Sequence, residues 1–476
     1  MKSTKIVATL GPASDSEDII RKLHDSGMDV VRLNFSHGDH AYFKKVIRTV
    51  RKVNPDMAIM LDTKGPEIRT GECKEGITLD EGDRIRITNK GKECNKDRIV
   101  IRYAKLMNLK KGDMILLDDG TIELRVIDKK DGLLVEVIDG GTLYSRKTVS
   151  IRGHNIEIPF LSEKDKEDIM FGMHNDISFI AASFVRNVDD VRQLRRFIDK
   201  HDPKVKIISK IEHWEAVNNY KEIVDASDAV MVARGDLGVE VSLEKVPKIQ
   251  TEIIHECNQK GKPVIVATQM LESMKDNPNP TRAEVGDVAR AILEGTDAIM
   301  LSSETTIGKY PVRAVKTFAK IAKEYDSQVK HNVVEELDHK VDRNSIALFI
   351  TRVIYMASKK LEVDAILTPT ESGASARNVS RFKPSCPIFA ITPDIMVMRQ
   401  LQLSWGVKPM IETRRFKRTD FMVNDLVKKC HNAGYLKKGD MIAIAAGTRV
   451  SRSGHTNQVE VHYVDEILKG VARDET

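Results

Sequence analysis

A chain of 476 residues, 41% hydrophobic and 31% charged, has room for about three packed domains and fits a soluble globular protein. A net charge of +6 with only 5% aromatic residues, and no Arg/aromatic interleaving, argues against a nucleic-acid surface. The five cysteines (Cys73, Cys94, Cys257, Cys386, Cys430) never stand as Cys-x-x-Cys, which argues against a zinc site or a disulfide framework and for a reducing compartment.

No charged-then-apolar leader opens the chain and no apolar run nears membrane-spanning length, so a cytoplasmic protein with no membrane partner is expected.

Short apolar runs punctuate the first two thirds of the chain: Thr4 to Leu10, Asp29 to Leu33, Met57 to Asp62, Ile177 to Ser183, Val205 to Ile211, Asp228 to Ala233, Pro263 to Thr268 and Asp297 to Ser302. Most are followed by helical periodicity with capping residues. Asp15 to Gly27 opens on Ser/Asp/Glu and closes on Gly, and Ser162 to His174 opens Ser-Glu-Lys-Asp. Ser242 to Lys260 and Thr281 to Leu293 also stop at glycines. Strand then helix, repeated, predicts an α/β (β/α)8 TIM barrel with its active site at the C-terminal strand ends.

The rhythm breaks between Pro66 and Arg152. Short alternating runs separated by Gly- and Asp-rich turns predict an inserted all-β, β-barrel-like domain placed to act as a lid. The barrel then resumes, and a polar stretch from Val329 to Arg343 reads as a linker or surface helix. A new βα series follows and predicts a three-layered C-terminal α/β domain. The expected bounds are 1–65 and 153–330 for the barrel, 66–152 for the lid and 331–476 for the last domain.

The strand ends carry the chemistry. In Lys206 to Glu212, alternation places Ile208, Lys210 and Glu212 on one face. Buried charge is costly unless paired or needed. Glu212 and Asp236, on adjacent strands, form a natural site for a hard divalent cation such as Mg2+. The glycines of Arg234-Gly235-Asp236-Leu237-Gly238 let backbone N–H groups approach an anion.

Arg32 suits a phosphate, and Arg69 a second one. Asn34 and Ser36 suit a cation, or equally well a helix cap. Asp62 and Thr63 add oxygen donors. Hydroxyls of Thr268 and Ser302 are placed to orient water or relay a proton, whereas Met270 and Met274 read as core. A divalent cation, a lysine and two arginines at a barrel mouth suit phosphoryl transfer, with the acceptor left open. A barrel lyase that stabilises a pyruvate enolate on Mg2+ would need the same carboxylates, and a basic nucleic-acid module is a more distant rival.

Beyond these readings, the stretches Lys5 to Ser14, Lys210/Glu212, Arg234 to Gly238 and Thr268 to Met274, in this order, resemble the pyruvate kinase family over nearly the whole chain. The resemblance implies phosphoryl transfer from phosphoenolpyruvate to ADP, giving pyruvate and ATP in glycolysis, by a homotetramer. It implies Mg2+ on Glu212 and Asp236, a second Mg2+ arriving with ADP, and K+ near Asn34, Ser36, Asp62 and Thr63. Lys210 would stabilise the phosphoryl group, Arg32 would bind it, and Gly235 and Thr268 would hold the substrate carboxylate. Thr268 would lie near the face where the enolate is protonated. Asn34, Ser36, His37, Arg69 and Lys147 would line the nucleotide side.

Two positions depart from or refine that pattern. Ile307 stands where the family often has a lysine, so no lysine there donates the essential proton. Glu67 matches members that need K+. In the C-terminal domain Thr370, Ser372, Gly373 and Ser375 resemble the family's sugar-phosphate effector loop, with Ala374 where an arginine is common. Arg449 and Arg452 in the Gly447 to Asn457 loop would complete the pocket for a phosphorylated allosteric effector. The plainer alternative is a helix N-cap.

Overall fold

The computed structural model describes residues 2–129, 132–154, 157–329, 346–412, 414, 419–446 and 456–474. Each of the eight predicted runs contains a strand: Lys5–Thr9, Val30–Asn34, Ala58–Asp62, Phe179–Ala182, Lys206–Ile211, Ala229–Ala233, Val264–Ala267 and Ala298–Leu301. All pair in parallel in chain order, and the last closes on the first through Lys5↔Ala298.

Alternation sorts the side chains. Ile207, Ile211, Val230 and Val232 pack outward on the helices, while Val30, Met60, Ile208, Met231 and Met300 fill the barrel interior. The interior-facing rows then continue upward as Arg32 and Asn34 on one strand and as Lys210 and Glu212 on another. Helix ends lock the phase. Ser162 and Thr281 make reciprocal capping boxes with Asp165 and Glu284, and Gly261 ends its helix at φ +66°. Met270 and Met274 are fully buried, as expected of core.

The insertion is built of β-strands, with one short 3-10 helix at Ala104–Asn108. Seven strands form a sheet in the order Ile68–Arg69, Thr148–Ile151, Met114–Leu117, Ile122–Asp128, Leu133–Asp139, Arg84–Thr88, Arg98–Val100, beside a ribbon of Ile77–Leu79 and Gly141–Leu143. The two edges of the sheet meet. Thr70 bridges Ile101 and the Gly71 N–H donates to the Val100 carbonyl at 2.8 Å, so the sheet curls around one apolar core.

The C-terminal domain orders its strands Val407–Ile411, Ile388–Thr392, Ala365–Pro369, Met441–Ala446, Gln458–Tyr463, with only the last antiparallel. Apolar clusters on both faces of this sheet make three layers. The domain packs under the barrel. Leu403 joins the barrel's interior cluster, and Lys383 pairs with Asp297 at 2.6 Å. It therefore stands at the end opposite the barrel mouth. The predicted linker lies almost wholly outside the described residues. Among those described, no helix is long and apolar enough to cross a membrane.

Candidate active site

Between the barrel mouth and the lid lies a cleft of about 390 Å³. Its barrel wall carries Arg32, Asn34, Ser36, His37, Asp62, Lys210, Glu212 and Asp236, and the lid side contributes Arg69 and Lys147. Ten of the predicted site residues thus meet in one place. Thr63, Gly235 and Thr268 stand behind the wall.

Asp62 organises the floor. Its Oδ2 accepts from Arg32 Nε at 2.6 Å and its Oδ1 from Lys210 Nζ at 3.1 Å. Lys210 also reaches Glu212 Oε1 at 2.7 Å and Ser183 Oγ at 2.7 Å. Glu212 Oε2 accepts from the Phe184 N–H at 2.7 Å, and Arg32 Nη1 donates to Thr9 Oγ1 at 2.9 Å. Arg32, Asp62, Lys210 and Glu212 are all buried.

The charges settle against one another. Burial raises the Asp62 carboxyl, but Arg32 and Lys210 outweigh it and hold it below the usual range. Burial lowers Lys210, yet Asp62 and Glu212 more than reverse this and keep it firmly protonated. Glu212 is pushed up to about 7, chiefly by burial with Asp236 adding, against Lys210. Burial also raises Asp236, as do Asp119, Asp62 and Glu67.

Three carboxylates therefore face two cations, and among the described residues no protein donor is bonded to Asp236. This donor set fits a hard divalent cation, for which two carboxylates, waters and substrate oxygens suffice.

Asn34 and Ser36 do not cap the following helix. Asp39 does so by accepting from the Tyr42 N–H at 2.8 Å, while Asn34 Oδ1 accepts from the Ser36 N–H at 3.1 Å. Thr63 Oγ1 is turned away, to the Ala181 carbonyl and the Ser183 N–H. On the lid, Arg69 donates to the Arg146 carbonyl at 2.7 Å and pairs with Glu67 at 2.7 Å, and Lys147 pairs with Asp118 at 2.9 Å.

The Gly235 N–H is committed to Thr268 Oγ1 at 2.7 Å, and that hydroxyl donates to the Ala267 carbonyl at 2.6 Å. Sequence reasoning left Ser183, the Phe184 amide and the role of Arg234 unassigned. Only the position of Ser183 at a strand end pointed toward the mouth.

In the C-terminal domain Thr370 follows the central strand directly. Gly373, at φ +77°, stands at the N-cap of the next helix and itself brings no side-chain cap. Ser375 Oγ meets Thr456 Oγ1 at 2.5 Å. Arg449 and Arg452 lie outside the described residues.

The family model "Pyruvate kinase, barrel domain" matches residues 1–315, and "Pyruvate kinase, alpha/beta domain" matches residues 349–462. The chain belongs to the pyruvate kinase family. It is 44% identical to the pyruvate kinase of Staphylococcus saprophyticus subsp. saprophyticus, over 99% of this chain and 82% of that protein. It is 43% identical to the pyruvate kinase of Staphylococcus aureus strain MRSA252, with the same coverage. The matched barrel segment carries the strand-end residues described above. A phosphotransferase of this family is thus the enzyme to which the cleft belongs.

Proposed function

We propose that this pyruvate kinase family member moves the phosphoryl group of phosphoenolpyruvate to ADP, with Arg32 and Lys210 as the groups that hold it in flight. The observation that carries this reading is the fixed Arg32–Asp62–Lys210–Glu212 chain facing Arg69 and Lys147 across one cleft. Phosphoryl transfer needs little covalent help from the protein, because positioning and charge neutralisation do most of the work.

Asp62 holds both cations before substrate arrives, so their charge is aimed at the transition state without rearrangement. Arg69 and Lys147, half-exposed on the lid, are suited to the ADP phosphates.

Mg2+ held by Glu212 and Asp236 would supply Lewis-acid charge neutralisation at the enolate and phosphate oxygens. A substrate carboxylate that takes the Gly235 N–H would displace Thr268 Oγ1 and free that hydroxyl for the enolate face. Asn34, Ser36 and Asp62 are the available oxygen donors for K+, with Glu67 nearby. The exposed Ile307 leaves no lysine at that position to deliver the proton.

The Thr370, Ser372, Gly373 and Ser375 loop, at the opposite end of the barrel, is the proposed seat of a phosphorylated effector. A homotetramer is the assembly this reading carries with it.

Labelled phosphoenolpyruvate tests the reading. The label should appear in ATP. A label that stays on phosphoenolpyruvate with ADP present would favour an enolate lyase, the reading that needs no nucleotide grip.

A further inference from the structure

The seam where the lid sheet closes holds two thiols side by side. The Glu72 N–H donates to the Lys92 carbonyl at 2.9 Å and the Cys94 N–H to the Glu72 carbonyl at 2.7 Å, pairing Glu72 with Glu93 in parallel register. One residue beyond that bridge, Cys73 and Cys94 both turn to the same core. Both are free thiols, Cys73 buried and Cys94 half-buried.

Neighbouring strands run about 4.8 Å apart, inside the range of roughly 4.4–6.8 Å that a disulfide spans between Cα atoms. The register is tightly held. A Cβ at Gly71 would lie 2.5 Å from the Lys92 carbonyl oxygen, so the two backbones touch here. The Cys73 thiol donates to the Gly71 carbonyl at 3.8 Å and the Cys94 sulfur accepts from the Val100 N–H at 3.4 Å, so both sulfurs sit at the Gly71–Val100 closure. Burial, with Cys94 adding, pushes Cys73 up to about 12.

We propose that Cys73 and Cys94 form a reversible disulfide that staples the seam of the lid. The oxidant is a peroxide. The more accessible Cys94 gives up its proton and attacks one peroxide oxygen as thiolate; the O–O bond breaks, Cys94 becomes a sulfenic acid, and the leaving hydroxide takes that proton and departs as one water. The Cys73 sulfur then attacks the Cys94 sulfur. The S–S bond forms, the S–O bond breaks, and the hydroxyl departs with the Cys73 proton as a second water. Two thiols are oxidised and one peroxide is reduced to two waters.

The staple lies next to the Ser145–Lys147 turn, which lines the cleft through Lys147. The Cys73 N–H donates to Ser145 Oγ at 2.8 Å, the Arg146 N–H to the Gly71 carbonyl at 3.1 Å, and the Thr70 N–H to the Lys147 carbonyl at 2.9 Å. Oxidation therefore stiffens the segments that carry Arg69 and Lys147.

The experiment treats the full chain with hydrogen peroxide, blocks the remaining thiols after denaturation and maps the peptides. The expected product is a Cys73–Cys94 linked peptide two hydrogens lighter than its parts, restored by dithiothreitol, with Cys257, Cys386 and Cys430 still free. Proteolysis within residues 68–101 should slow roughly tenfold or more on oxidation. The Cys94→Ser variant, altered at the more accessible thiol, should show neither the link nor the slowing. Sulfinic acid on Cys94 with Cys73 free, or a linked peptide with unchanged proteolysis, would overturn the proposal.

Discussion

Arg234 Nη2 donates to the Thr268 carbonyl at 2.9 Å, and Thr268 itself stands at φ +65°. A left-handed β-branched residue costs about 1–3 kcal/mol and persists only when its surroundings impose it. Arg234 is that imposition. It also reaches the Gln269 carbonyl at 3.0 Å and is anchored on Asp287 at 2.6 Å. A lysine ammonium cannot span these acceptors as a planar fork does. Arg234→Lys is expected to lower kcat about tenfold or more while leaving the KM for ADP near its wild-type value, because Thr268 loses its fixed place and the lid does not. Steady-state kinetics with each substrate varied checks this. Equal damage to both constants would indicate general distortion instead.

Lys210 is the cation that reaches both Asp62, at 3.1 Å, and Glu212, at 2.7 Å. Lys210→Ala is expected to reduce phosphoryl transfer by about 10²–10³ or more, as with other donors aimed at developing charge. Rapid-quench measurement of the transfer step decides the matter. Turnover close to wild type would remove Lys210 from its role.

His213 Nε2 and Glu240 Oε2 lie 3.4 Å apart, both buried beside the cleft. Burial, with Asp236 adding, pushes Glu240 up to about 7 against Ser150 and Arg152. Burial and Arg186 push His213 down to about 4. The signs oppose. Glu240 contributes stability that is full below its unfolded value of about 4.3 and lost as pH rises through 7. His213 contributes stability that is full above about 6.5 and lost as pH falls toward 4. Between about 4.5 and 6.5 the two slopes offset. Glu240→Gln should therefore turn a flat profile into one that rises with pH, and should gain at most about 4 kcal/mol above pH 7. Calorimetric Tm of the metal-free protein across this range checks it. Parallel profiles for the two proteins would contradict it.

Ser372 lies in the loop that precedes the Gly373 turn. A carboxylate there would repel a phosphate. Ser372→Glu should abolish activation by sugar phosphates or AMP and leave basal turnover intact. Unchanged wild-type kinetics with every such compound would remove the effector site.

The barrel was legible because charge interrupted an apolar alternation. Lys210 and Glu212 sit two apart, so the face they share had to be the one that meets solvent at the mouth, and the interior cluster ends there. The lid was legible from its turns, but its closure through Thr70 and Ile101 was not, since a single bridge between edges leaves no local pattern. Ser183 escaped because it acts on Lys210 from the neighbouring strand, a relation set by barrel register. Arg234 escaped for the same reason, with Asp287 far along the chain. Asn34 and Ser36 suited a cation and a helix cap equally well in the sequence, and Asp39 takes the cap.

The most direct measurement is pyruvate formation from phosphoenolpyruvate and ADP by the purified chain, with and without Mg2+ and with and without K+. Activity that requires Mg2+ and rises with K+ is expected from the paired carboxylates and from Glu67. Absence of pyruvate in folded protein under all four conditions, with sugar phosphates and AMP supplied, would contradict the assignment.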